Sequence, residues 1–260
     1  MDIVERLRSD GYAIVERGVS TNCLERIRAA MYRARDATLR EVGEARLTAA
    51  GERGVLRLML KHDPVFLELL QLREMLAIVD QLIGDACILH LQNGLILPPS
   101  DETSAALFQF RFHRDFPRLL NGYLASVNVV VAVDEFTPDN GATMVVPGSH
   151  QKEAPSDGDF LRTHAVPVVC SAGSLILFDS TLWHAAGDNR SGRDRLAINH
   201  QFTRSYIKQQ IDYVRALGAE VVLAQPPRTQ QLLGWYTRVV TSLDEYYRPE
   251  QERLYRRGQG

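Results

Sequence analysis

The triplet His113-Arg114-Asp115 sets an imidazole and a carboxylate two residues apart. On an extended strand, side chains alternate with a period of two, so both would point to one face. A second histidine, His184, follows 69 residues after the aspartate. If the fold carries it to the same point, two histidines and one carboxylate cover one face of a metal ion and leave the opposite positions open. That donor set suits non-haem Fe(II) and oxygen chemistry. A lone His-x-Asp is a weak signal, so the surroundings of both ends carry weight. His184 closes the strand-like run GSLILFDSTLWH, and Arg195, eleven residues further on, stands at the head of another, LAINHQF.

The elements that must position these residues change character along the chain. A short helix over 2–10 ends at Gly11 and a strand follows over 12–15. Asn22 and Glu25 have capping-box spacing, and Leu24, Ile27 and Met31 recur at helical intervals, which predicts a helix over about 22–40. Asp63-Pro64 opens a helical stretch that runs to Gly84 with a break near 71–73. From residue 86 short apolar runs are punctuated by Gly, Pro, Asn and Asp: 86–97, 107–113, 124–134, 142–146, 165–169, 174–179 and 195–203. This texture predicts an antiparallel sandwich or barrel. In the tail, Leu232, Leu233, Tyr236, Val239, Val240 and Leu243 repeat as one face of a helix over 229–245, with Pro249 beyond it. The fold class expected is mainly β with flanking α-helices. A single domain spans 1–260, with a helical N-terminal part to about 85, a β core to about 203 and a helical tail.

Bulk properties exclude several functions. The formal charge of −2 leaves no basic footprint for nucleic acid or an anionic membrane. Cys23, Cys87 and Cys170 are too few and too scattered for a disulfide framework or a zinc knuckle, which fits reduced thiols in a cytoplasmic protein. The N-terminus is charged from residue 2, and no run of 18 apolar residues occurs, so neither a signal peptide nor a membrane span is expected.

The ordered set HRD, DEFTPDNGATMVVPGSH and AGSLILFDSTLWHAAGDNRSGRDR resembles the phytanoyl-CoA dioxygenase family of Fe(II)- and 2-oxoglutarate-dependent oxygenases. The likeness runs from SDGYAIVERGV to about Thr203 and omits 98–107 and the tail after 204. It implies a double-stranded β-helix, a cupin-like jelly roll whose mouth holds the metal. By the same resemblance the iron ligands fall on His113, Asp115 and His184, and the arginine that clamps the distal carboxylate of 2-oxoglutarate falls on Arg195. A guanidinium presents a planar, always charged fork to a carboxylate. A surface salt bridge is the competing reading, with Arg190, Arg193 and Asp194 close by. The implied activity is that of a dioxygenase using Fe(II), 2-oxoglutarate and O2 to hydroxylate a small molecule with release of succinate and CO2. Desaturation, cyclisation or epimerisation draws on the same chemistry. Halogenating relatives carry a small residue in place of the carboxylate, so Asp115 argues for a hydroxylase over a halogenase.

Strand parity supplies further candidates. An inward Arg195 turns Ala197, Asn199 and Gln201 inward and Leu196, Ile198 and Phe202 outward. Asn199 and Gln201 are therefore substrate candidates, with satisfaction by the backbone as the alternative. The same rule sets Gln109 and Arg111 on the face of His113 and Asp115, as substrate candidates, and Phe108, Phe110 and Phe112 on the other. Asn128, polar within VNVVVAV, is an inward candidate for the co-substrate, and Gln92 lies on the strand where relatives place a polar residue near 2-oxoglutarate. Arg111, Arg114 and Arg118 cluster around the motif, which favours an anionic substrate unless they form a solvated rim. His150 in the PGSH turn reads as structural. Two other classes compete: a cupin-like metal protein without 2-oxoglutarate, which has no need of Arg195, and an inactive binding or regulatory relative. The apolar face of the 229–245 helix serves a monomer by covering the sheet or a homodimer by pairing.

Overall fold

The computed structural model describes residues 2–101, 107–116, 120–153 and 158–253. Among the described residues nine strands form two antiparallel sheets: β1 (Tyr12–Val15), β2 (Val55–Leu56), β3 (Ile88–Leu97), β4 (Ser126–Ala132), β5 (Thr143–Val145), β6 (Val166–Pro167), β7 (Leu175–Asp179), β8 (His184–Ala186) and β9 (Arg195–Thr203). The larger sheet has the order β1-β7-β4-β9-β3-β2, the smaller β6-β5-β8. Every pairing between named strands in the two sheets is antiparallel.

Alternation along the central strands sorts side chains between two cores. Val127, Val129 and Val131 of β4, Leu175 and Leu177 of β7, and Leu196, Ile198 and Phe202 of β9 join Ile27, Met31, Phe66, Met75 and Val79 of the N-terminal helices. The opposite parity, Val130, Ile176, Phe178 and Ala197, packs with Phe136, Val145, Val168 and Leu182 between the sheets. The parity expected for β9 is thus what the register shows.

Most of the helical layer follows the sequence. The first helix spans Ile3–Ser9 under an Asp2–Glu5 capping box. The long helix spans Thr21–Val42, but its cap is Ser20, whose hydroxyl accepts from the Cys23 amide, and not the Asn22–Glu25 pair. The stretch after Pro64 breaks as expected, into Val65–Glu68, the turn Leu69–Gln71 and the helix Arg73–Ile83.

Two expected elements do not form. Residues 107–113 do not make a strand: Phe108–Phe110 is a 3-10 turn, and only His113 bridges to a partner, His184. The single tail helix over 229–245 is also absent. A helix covers Pro227–Leu232, Gly234 takes a positive φ of 87°, and the next helical turn is Leu243–Tyr246. The left-handed glycine ends the first helix, and the β-branched Val239-Val240-Thr241 run does not restart it. Leu232 and Leu233 are buried, whereas Val239 is 88% exposed, so the supposed apolar face never forms. Among the described residues no helix is long and apolar enough to cross a membrane.

Candidate metal centre

The two histidines meet because their backbones pair. The His113 amide donates to the His184 carbonyl at 3.0 Å and the His184 amide returns the bond at 3.1 Å. On its other side His184 pairs with Val145 of β5, so one histidine is held within the small sheet and fixes the other. The Phe116 amide bonds the Ser180 carbonyl at 2.8 Å, which draws the chain past Asp115 against the end of β7. The ligand atoms of His113, Asp115 and His184 all lie within 4.8 Å of one another. Proximity of His113 and Asp115 therefore comes from a bend anchored at both ends and not from the extended strand that the spacing suggested.

Both imidazoles are oriented by their own backbones. His113 Nδ1 lies 2.8 Å from the Arg111 carbonyl oxygen, and His184 Nδ1 lies 3.0 Å from that of Leu182. A carbonyl only accepts, so each Nδ1 carries a proton and Nε2 is the nitrogen left to ligate a metal. Those Nε2 atoms face the carboxylate, at 3.4 Å from Asp115 Oδ1 for His113 and 3.9 Å from Oδ2 for His184. Histidines whose far nitrogen is committed in this way are the usual form of a metal ligand. Burial pushes the His184 pKa down, helped by the charge of His113, to about 4. Burial opposes ionisation of Asp115, but the two histidines and the Asn128 bond outweigh it and leave that carboxyl at about 2. Burial alone would lower His113, yet its bond to Asp115 raises it. The donor set is one carboxylate and two imidazoles whose Nε2 atoms face it, which fits a divalent cation.

The triad opens on a cavity of about 270 Å³ whose wall includes Arg57, His90, Asn93, Gln109, Thr143, Arg195, Asn199, Gln201 and Gln210. Arg195 is 2% exposed. One Nη donates to the Gly141 carbonyl at 2.9 Å, the guanidinium lies 4.2 Å from the Phe136 ring centroid, and the buried Nε has no partner. No described carboxylate comes within ion-pairing distance of it. Burial lowers its pKa to about 10, so it stays charged. Gly141 is required here: its φ is +79°, and a Cβ would lie 2.8 Å from the Gly187 carbonyl oxygen and 2.5 Å from Leu97 Cδ2.

The remaining candidates divide. Asn199 and Gln201 line the cavity as strand parity requires, and Gln109 does so from the 3-10 turn. Arg111 is exposed and does not line it, because the parity that turned it inward presumed a strand. Arg114 reaches the wall, but its guanidinium is tied to the Ser149 and Lys152 carbonyls and lies over Trp183. Arg118 lies outside the described residues. Asn128 does not line the cavity; its amide donates to Asp115 Oδ2 at 2.7 Å. Gln92 requires correction. It faces the helices, bonded to the Phe66 carbonyl and beside His200, while its neighbour Asn93 pairs with Asn199 on the cavity side. A bulge between Leu89 and Leu91 sets this parity, and no feature of the sequence marks it. Asn93, His90, Arg57 and Gln210 were not anticipated. Once β3 is known to pair with β9, Asn93 follows from register; His90 sits at the irregularity of β3, and Arg57, just after β2, and Gln210 lie on connecting segments.

Taken together, two antiparallel sheets carrying a two-histidine, one-carboxylate cluster beside a buried arginine define a candidate mononuclear metal centre in a β-sandwich. The sequence profile of the phytanoyl-CoA dioxygenase family (PhyH) matches residues 7–197, and the chain belongs to that family. It is 60% identical over 259 residues to an uncharacterised protein of Mycobacterium tuberculosis, Rv1501, covering 99% of this chain and 95% of that one. It is 31% identical over 179 residues to the dioxygenase cdmD of Talaromyces verruculosus, covering 62% of this chain and 54% of the relative. In fold it is similar to HygX from Streptomyces hygroscopicus, solved with nickel and 2-oxoglutarate bound, with a TM-score of 0.62 and 14% identity over 80% of this chain and 88% of that one. EvdMO1 is a second neighbour, with a TM-score of 0.59 and 22% identity over 77% of this chain and 49% of that one.

Proposed function

We propose that this protein is an Fe(II)- and 2-oxoglutarate-dependent dioxygenase that hydroxylates a small molecule, built as one domain on a double-stranded β-helix. The observation that carries this reading is the pairing of two features on one cavity: a triad whose ligand atoms lie within 4.8 Å of one another, and a buried guanidinium with no carboxylate partner among the described residues. An unpaired buried charge is costly, so the position fits a bound anion. Family membership, the dioxygenase names of relatives and the neighbour holding 2-oxoglutarate support it.

In this reading His113, Asp115 and His184 hold Fe(II), and Arg195 holds the distal carboxylate of 2-oxoglutarate. Fe(II) bound there would supply the oxygen chemistry of the reaction, for which 2-oxoglutarate would be the co-substrate. The protein orients and excludes water. Phe178, Val130, Leu91 and Leu95 are among the apolar residues of the cavity wall. Asn93 Oδ1 and Gln109 Nε2 are buried on the wall without partners, one acceptor and one donor for a polar substrate. An anionic substrate would draw on Arg57, which already shares its charge with Glu52. The retained Asp115 supports hydroxylation over halogenation.

The test needs no knowledge of the substrate. Metal-free protein given Fe(II), 2-oxoglutarate, ascorbate and oxygen should form succinate; His113→Ala should abolish it, and Arg195→Ala should lower it sharply at subsaturating 2-oxoglutarate. Stoichiometric iron binding with neither succinate formation nor 2-oxoglutarate binding would reject the reading.

A further inference from the structure

A polar side chain in the middle of a strand buried on both faces needs a reason. Asn128 sits among the valines of β4 and is fully buried, as are Ser180 and, at 2% exposed, Ser126 and Gln201. Its Nδ2 donates to Asp115 Oδ2 at 2.7 Å and to Asn199 Oδ1 at 2.9 Å, and its Oδ1 accepts from the Ser180 hydroxyl. Both amide protons and the carbonyl are thereby used, so the side chain cannot turn without breaking a buried bond. The chain continues. Ser180 and Ser126 share a hydrogen bond of 2.7 Å, and Gln201 Nε2 donates to Ser126 Oγ at 3.0 Å.

Asp115 has no other side-chain amide donor among the described residues, and it stands on an irregular segment that cannot orient it by itself. Its Oδ2 is committed to Asn128, which leaves Oδ1, 3.4 Å from His113 Nε2, as the oxygen free to ligate. We propose that Asn128 is a positioning residue that holds Asp115 as a one-oxygen ligand, and that Ser180 locks Asn128 in that orientation. Because one end of the network, Gln201, lines the cavity, the carboxylate is tied through hydrogen bonds to the surface a substrate touches. A carboxylate that ligated through both oxygens would fill a coordination position that the reaction needs open. The inference rests on the reading of the triad as a metal centre.

The experiment compares metal-free wild type, Asn128→Leu, which keeps the volume and removes the amide, and Ser180→Ala, which only unlocks it. Co(II) binding is followed by calorimetry and by the visible d–d bands, which report coordination number and symmetry. The expected result is a Kd raised about 10- to 100-fold in Asn128→Leu, of the order found for lost outer partners of a ligand. The bands should change in both variants, with Ser180→Ala the milder. Should Asn128→Leu not fold, the Ser180→Ala spectrum decides. Wild-type affinity and bands in the folded variants would make the network merely structural and overturn the proposal. If wild type itself binds no Co(II), the metal-centre reading fails and takes this inference with it.

Discussion

The two faces of the large sheet both bury polar side chains, and they treat them differently. On the helix face, the Tyr213 hydroxyl meets the Gln92 amide, Gln92 donates to the Phe66 carbonyl, and His200 lies beside Gln92 and the Val129 carbonyl; one acceptor, Gln92 Oε1, is left over. On the cavity side, Asn93 of β3, Arg195 of β9 and Gln109 of the 3-10 turn each keep a buried atom without a partner among the described residues. Burying an unpartnered polar group costs about 1–3 kcal/mol. A face that closes its polar groups serves stability, and a face that leaves several open is built for a ligand that closes them.

The strongest way to break this contrast is to remove a ligand from the open face. His184→Ala should lower metal affinity by at least ~100-fold and bring succinate to background. The metal-free melting temperature should stay within about 5 °C of wild type, since the backbone bridge to His113 needs no imidazole. Dialysis against a chelator followed by metal analysis gives the first number, and thermal unfolding the second. A large loss of stability would place His184 with the closed face.

Arg195→Ala should cost about 2–5 kcal/mol of co-substrate binding, a rise in the KM for 2-oxoglutarate of ~30-fold or more. Arg195→Lys should recover only part, since a point charge replaces a planar fork. An unchanged KM would mean that the guanidinium serves only Gly141 and the Phe136 ring.

His200 sharpens the contrast from the closed face through pH. Burial lowers its folded pKa from 6.5 to about 4. The unfolded chain therefore takes up a proton first as pH falls. The stabilisation is whole above pH 6.5, declines from there to about pH 4, and amounts over that window to about 3 kcal/mol. Urea denaturation at pH 7, 5.5 and 4 should show His200→Gln with a shallower decline than wild type. Parallel declines would show that His200 is not buried in its neutral form.

How much of this was legible depends on whether a residue's neighbours are set by its own strand. The parity of β9 was readable because Leu196, Ile198 and Phe202 alternate cleanly with Ala197, Asn199 and Gln201. The helix break at 71–73 was readable because it lies in a local apolar pattern. His113 and Asp115 were found for an incomplete reason: their spacing suggested a strand, while a single backbone bridge and a bend bring them together. Gln92 was proposed from the resemblance alone, and the side on which β3 presents its residues depends on an irregularity at Leu89–Leu91 and on pairing with a strand about a hundred residues away. The 229–245 helix failed because periodicity ignores the glycine in its middle. Arg57 and Gln210 were invisible, since only tertiary packing brings their segments to the cavity.

Gln92 and Asn93 allow the finest test, because adjacent residues of one strand should respond in opposite ways. Gln92→Leu removes a donor to a buried carbonyl and should cost about 1–3 kcal/mol of stability while leaving the KM for 2-oxoglutarate alone. Asn93→Leu discards an acceptor that has no partner among the described residues, so the metal-free protein should lose no stability, and turnover should fall because the wall no longer matches its ligand. Paired urea titrations and succinate assays on the two variants measure both quantities. If the effects are reversed, the β3 register of Gln92 against His200 and Asn93 against Asn199 is wrong by one residue, and with it the assignment of which face of the sheet is open.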